Sequence, residues 1–222
     1  MGNVFKNLDW SVLTGALASI IPALICITFH ELSHGFVAYK LGDTTAKDMG
    51  RLTLNPIKHI DIFGLVSMAI FGFGWAKPVP VNMMKFKRPK RYMAITALAG
   101  PVSNIILASF MLALFGLLTK PLGSGSQAGE IVLDMIERTA YLSVALAIFN
   151  FIPIPPLDGS KVLFSLLPDD VYYKLMRYER YGMIILILIL TTNVFDASIG
   201  RLTFSLFEQL FKIAQAVYNL VN

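Results

Sequence analysis

The chain has 222 residues, 55% of them hydrophobic and 15% charged, whereas soluble domains carry roughly 25% charged residues. A soluble domain of this length has no room to hide so much apolar surface, which excludes an ordinary cytosolic enzyme, a disordered chain and a coiled coil; the single cysteine, Cys26, excludes a disulfide framework and a multi-cysteine zinc site. The formal charge of +5, in so apolar a chain, points to loops facing an anionic membrane surface rather than to nucleic acid.

Charge-free runs locate the expected membrane segments. Residues 10–29 contain no Asp, Glu, Lys or Arg and form the first predicted span. Residues 62–76 are shorter and hold Gly64, Gly72 and Gly74, so they read as a re-entrant or hairpin segment. On either side, residues 48–56 and 77–82 alternate small, polar and β-branched types, which suits a short sheet; Pro78 and Pro80 restrict such a strand to an edge, where an unwound substrate could pair with it. Residues 92–119 and 139–157 are again free of charge and near the roughly 20 residues that a spanning helix needs. Within the former, Ala99-Gly100-Pro101 suits close helix packing, and Asn104 faces either that packing or a cavity. Residues 161–167 continue a helix past a proline-rich turn, and 181–195 form a further apolar run. In residues 201–222, Leu202, Leu206, Leu210, Ile213 and Val217 recur at helical spacing among polar residues, which predicts an interfacial or partly buried amphipathic helix.

The expected fold is therefore an all-α polytopic membrane protein of about four to six transmembrane helices, with a re-entrant or short β-hairpin region between the first and second full spans. Residues 1–222 read as one membrane-embedded domain, with a catalytic core over about residues 10–168, C-terminal helices over 181–222 and no cleavable signal peptide. Lys77, Lys85, Lys87, Arg88, Lys90 and Arg91 lie in one stretch without an acid, whereas residues 121–137 hold Glu130, Asp134 and Glu137 without a base. The positive-inside rule puts the first stretch in the cytosol and the second outside. The first helix then ends on the cytosolic side.

That end reads Phe29-His30-Glu31-Leu32-Ser33-His34-Gly35. His30 and His34, four residues apart, share one helix face and can grip one metal ion, while Glu31 stands beside them to take a proton from an activated water. Ionisable residues at membrane depth are costly and functional by default. Zinc held by two histidines wants one further protein ligand and leaves a fourth position open. Neither a third histidine soon after His34 nor a downstream glutamate supplies it, because no Glu occurs between Glu31 and Glu130. The remote acid Asp158 closes the run Asn150-Phe151-Ile152-Pro153-Ile154-Pro155-Pro156-Leu157-Asp158-Gly159, where prolines break the helix. Two roles suit it, a metal ligand on a cavity-lining loop or the N-cap of the next helix.

Taken together, the membrane-embedded H-E-x-x-H and the distant N-x-x-P-x-x-P-L-D-G resemble the site-2 protease family of intramembrane zinc metalloproteases. The stretches Leu54-Asn55-Pro56-Ile57-Lys58-His59-Ile60-Asp61, Gly74-Trp75-Ala76-Lys77-Pro78-Val79-Pro80-Val81-Asn82 and Ala99-Gly100-Pro101-Val102-Ser103-Asn104 resemble its compact bacterial and archaeal branch, which lacks PDZ and CBS domains. The family often has Pro after the His-x-Asp, where this chain has Ile62, so the shape of that turn is the one point of departure.

The resemblance implies one Zn²⁺ per chain held by His30, His34 and Asp158, with Glu31 as catalytic base and Asn150 close by to hold substrate backbone or steady the oxyanion. Asn104 and His59 are expected near the site in structural roles. The implied activity is hydrolysis of transmembrane substrate proteins, in a cell membrane of a bacterium or archaeon, with the active site toward the cytosol. The implied partners are the substrate and the lipid bilayer, possible further copies of the chain, and no nucleic acid. Two other classes compete: a zinc transporter or channel that uses the histidine pair as a transit site, and a catalytically silent relative acting as a membrane chaperone. Glu31 separates the first of these, because a protease needs it only for chemistry.

Overall fold

The computed structural model describes residues 10–64, 67, 74–123, 125–190, 192 and 196–221, and among them every regular element is a helix. Helix α1, Trp10–Lys40, runs beyond the charge-free stretch and carries the His-Glu motif in its last third. A single turn of helix, α2 at Thr45–Asp48, and a 3-10 turn at Pro56–His59 follow. A second 3-10 turn at Met83–Lys85 leads into α3, Pro89–Leu122, which starts with proline at its first turn, where no N–H is missed. Ser126 then caps α4, Gln127–Phe151, by accepting from the Gly129 N–H. Helix α4 stops at the proline-rich turn, and α5, Asp158–Phe164, α6, Asp169–Tyr178, α7, Gly182–Leu190, and α8, Asp196–Val221, complete the chain.

Among the described residues, two helices are long and apolar enough to cross a membrane, within Ile20–Lys40 and Pro89–Leu122. Helix α4 has the length of a span but takes Glu130, Asp134, Glu137 and Arg138 into its first half, where Arg138 Nε donates to Asp134 Oδ2 at 2.6 Å one turn away. The helix therefore begins well before the charge-free stretch 139–157, since paired charges at a helix end continue the backbone hydrogen bonding as well as apolar residues do. Helix α7 is described over nine residues, fewer than the roughly 20 of a full span, and most of the rest of the apolar run 181–195 lies outside the described residues. The amphipathic tail is a partly buried helix: Leu206, Phe207, Leu210 and Phe211 of α8 pack on a core of Ala108, Leu112, Ala140, Val144 and Ala214 from α3, α4 and α8. Ile106, Phe110, Ile184 and Phe204 instead face outward and exposed, as lipid-facing side chains do.

The expected sheet does not form among the described residues. Residues 48–56 turn and enter the 3-10 helix, and residues 77–82 run extended without a strand partner. The physical reason lies in their donors and acceptors. Pro78 and Pro80 have no N–H, the Val79 N–H goes to Glu31, and Arg51 Nη2 donates to the carbonyls of Lys77 at 2.9 Å and Pro78 at 3.2 Å. Most of the expected re-entrant stretch, residues 62–76, lies outside the described residues.

Candidate metal centre

The site forms where the end of α1 meets α3 and the start of α5. His30 and His34 project from one face of α1 and are 5% and 8% exposed. Helix α3 crosses them at Gly100, where an added Cβ would lie 2.6 Å from His30 Cε1 and 2.5 Å from His34 Cε1. A residue without a side chain is therefore what lets the two rings lie against this helix. The third group comes from the proline-rich turn, in which the Leu157 N–H donates to the Ile154 carbonyl at 2.9 Å and Ser160 Oγ to the Leu157 carbonyl at 2.7 Å. Asp158 follows Leu157, the N-cap residue of α5, and is therefore the first helical residue rather than the cap. Its carboxylate points to the histidines instead.

Three potential ligand atoms converge. His30 Nε2 and His34 Nε2 lie 3.0 Å apart, and Asp158 Oδ2 lies 3.1 Å from the first and 3.0 Å from the second. Tetrahedral zinc with bonds of about 2.0–2.1 Å separates its ligand atoms by about 3.3 Å, so a few tenths of an ångström of opening seats one ion. The donor chemistry agrees. His34 Nδ1 lies 2.7 Å from the Thr96 carbonyl, an acceptor that takes the ring hydrogen and leaves Nε2 bare toward the other two groups. Among the described residues, this is the group of His, Cys, Asp and Glu side chains arranged to hold a metal.

His30, Glu31, His34, Asn150, Asp158, Lys161 and Glu179 line one cavity of ≈ 330 Å³, which Val79 and Pro78 also border. Lys161 Nζ stands 3.7 Å from Asp158 Oδ1, on the side away from the histidines, and 3.5 Å from Glu179 Oε1. Asn150 borders the cavity while its Nδ2 donates to the Leu146 carbonyl at 3.0 Å. Asn104 is fully buried, with Nδ2 3.3 Å from His30 Nδ1. His59 is not brought to the cavity: it is buried behind the 77–82 segment, with Nε2 2.9 Å from the Thr53 carbonyl and its own carbonyl accepting from the Lys77 N–H at 2.9 Å.

Arg51, Asp43 and the backbone of Thr96 support the site without standing out in the sequence. Asp43, buried in the turn after α1, accepts from the N–H of Thr45 at 2.9 Å, from Thr45 Oγ1 at 2.5 Å and from the Asn82 N–H at 2.6 Å. Burial pushes its carboxyl up, but these hydrogen bonds and Lys85 nearby outweigh it and hold the group below its ordinary value. The signal for Asp43 and Arg51 in the sequence was only that each is a charged residue in a short loop.

Residues 120–191 match the family described as Peptidase family M50. A protein of Bacillus subtilis (strain 168) named as a zinc metalloprotease, YwhC, is 42% identical over 177 residues, 78% of this chain and 80% of that protein. A zinc metalloprotease by name, MJ0611 of Methanocaldococcus jannaschii, is 31% identical over 72% of this chain and 75% of its own length. Another so named, Rip2 of Mycolicibacterium smegmatis, is 28% identical over 83% and 71%. No solved structure matches.

Proposed function

The chain belongs to peptidase family M50, the site-2 protease family of membrane zinc metalloproteases, and on that footing we propose that it hydrolyses peptide bonds of transmembrane proteins within or beside the bilayer. One observation carries the reading. Two histidines and a carboxylate converge to within 3.0–3.1 Å at the end of a helix apolar enough to cross a membrane, with a glutamate on the same cavity.

In this reading His30, His34 and Asp158 hold the metal and Glu31 is the catalytic base. Zinc supplies Lewis acidity toward water and a scissile carbonyl. Glu31 accepts a proton at its carboxylate and returns it to the leaving amine. The Val79 N–H keeps that carboxylate aimed into the cavity. Asn150, on the cavity wall with Nδ2 donating to the Leu146 carbonyl, has its second amide hydrogen and its oxygen left for the substrate backbone or the developing oxyanion. The whole chain acts as one membrane-embedded domain of about four to six spans, in the cell membrane of a bacterium or archaeon. The basic stretch from Lys77 to Arg91, tied to the end of α1 by the Val79–Glu31 and Asn82–Asp43 hydrogen bonds, supports an active site that opens to the cytosol.

The test compares wild type with Glu31→Gln, which keeps the acceptor for Val79 but removes the base. Cleavage of single-pass proteins is expected to fall by about 10²–10⁴-fold while bound zinc stays unchanged. Membrane proteomics then shows uncut substrates accumulating in the variant. Loss of zinc in the variant, or zinc flux through the protein with no cleavage in wild type, overturns the reading in favour of a transit site.

A further inference from the structure

We propose that Asn104 is a positioning residue for the metal centre: its amide oxygen takes the Nδ1 hydrogen of His30 and so fixes which ring nitrogen faces the ion. The inference rests on the reading of His30 as a ligand.

A histidine that gives Nε2 to a metal must present it bare, so the neutral ring carries its hydrogen on Nδ1 and needs an acceptor there. For His34 the acceptor is the Thr96 carbonyl, 2.7 Å away. His30 has no such carbonyl; its Nδ1 faces the amide of Asn104, at 3.3 Å from Nδ2. Asn104 is fully buried, and its Oδ1 has no hydrogen-bond partner. A half-turn about the last side-chain bond exchanges the oxygen and nitrogen of a primary amide at almost no change in shape. After that turn Oδ1 faces His30 Nδ1 and receives its hydrogen, which leaves Nε2 bare toward the other two ligand groups. An apolar side chain of the same size would pack equally well but could not accept a hydrogen. Asn104 sits on α3 one turn after Gly100, the residue that lets both rings approach, so one helix controls the closeness and the orientation of His30.

The experiment uses the full chain purified in detergent, with zinc affinity measured by competition against a chromophoric chelator. Asn104→Asp retains an acceptor in a buried carboxylate–histidine arrangement and is expected to bind zinc within about threefold of wild type. Asn104→Leu keeps the bulk but not the acceptor and is expected to bind about 10–100-fold more weakly. Asn104→Ala, which removes the acceptor without adding volume, should weaken zinc by the same factor and serves if the leucine variant does not fold. A packing role predicts the opposite order, with leucine tolerated and buried aspartate harmful. The proposal is overturned if leucine or alanine binds zinc like wild type, or if aspartate loses as much as alanine. A parallel His30→Ala protein keeps the two readings apart. Should it bind zinc at wild-type strength, the ligand assignment itself is wrong; should it lose zinc while Asn104→Leu does not, only the role of Asn104 falls.

Discussion

Glu31 Oε2 accepts a hydrogen bond from the Val79 N–H at 2.7 Å, which ties the end of the first helix to a segment 48 residues along the chain. A backbone donor is a good aiming device for a carboxylate, because it cannot change rotamer. Its own position depends on the carbonyls beside it. Arg51, 7% exposed, grips those of Lys77 and Pro78 through one terminal nitrogen.

Arg51→Ala should therefore damage catalysis without damaging the metal centre. The 77–82 segment loses its anchor, and the carboxylate of Glu31 loses its fixed direction. A fall in kcat/KM of about 10–100-fold is expected, with zinc stoichiometry unchanged by elemental analysis. Unchanged turnover would show that the aim of Glu31 does not depend on this segment.

Gly100→Ala should do the reverse. The new methyl group would press on His30 and His34 from α3, so the rings must separate from that helix. Displacing ligands by about 1 Å is expected to cost about 100-fold in kcat/KM, and zinc affinity should fall with it. Circular dichroism, checking that the helices persist, separates this from unfolding.

Gly116→Ala probes the same helix about four turns further on, away from the site. There a Cβ would run onto the Ala214 carbonyl oxygen and lie 3.0 Å from its Cα, so α3 and α8 must part. Overpacking of this kind costs about 1–3 kcal/mol. A lowered melting temperature with normal zinc content and near-normal specific activity is the expected result.

Asp43 provides a pH test. Its carboxyl is held below its ordinary value in the fold, so its stabilising effect is complete above the unfolded value, about 3.9, and is lost as pH falls through the lower folded value. Asp43→Asn should lower stability at pH 6–7 by about 1–3 kcal/mol, because the Asn82 N–H and the Thr45 N–H and hydroxyl compete for a single amide oxygen. Melting temperatures of the two proteins should converge as pH drops below about 4. A gap that stays constant from pH 7 to pH 3 would refute the assignment.

Much of the molecule was legible because local spacing carries it. The pairing of His30 with His34 needs only a helix, and the apolar run before them supplies one. The amphipathic period after residue 201 likewise marks the face of α8 that meets the core, since Leu206 and Leu210 both pack there. Helix length is less visible in the sequence. Helix α4 begins before the charge-free stretch because its charges pair along its own surface, and charge-free runs are blind to that. The 77–82 segment has strand-like composition yet forms no sheet, because its donors and acceptors are taken by Glu31 and Arg51 from elsewhere in the chain.

The sequence by itself determined the membrane setting and the histidine–glutamate constellation, since both depend on composition and on neighbours within one turn. On residue spacing alone, Asp158 remained either ligand or cap. The proline-rich turn decides its direction by starting α5 one residue after Leu157 and turning the carboxylate onto two rings 128 and 124 positions earlier. The same holds for Asn104 at His30, Gly100 beneath both rings and Val79 at Glu31. Each is a contact between segments far apart in the chain, and such contacts exist only once helices have packed closely enough for their backbones to touch.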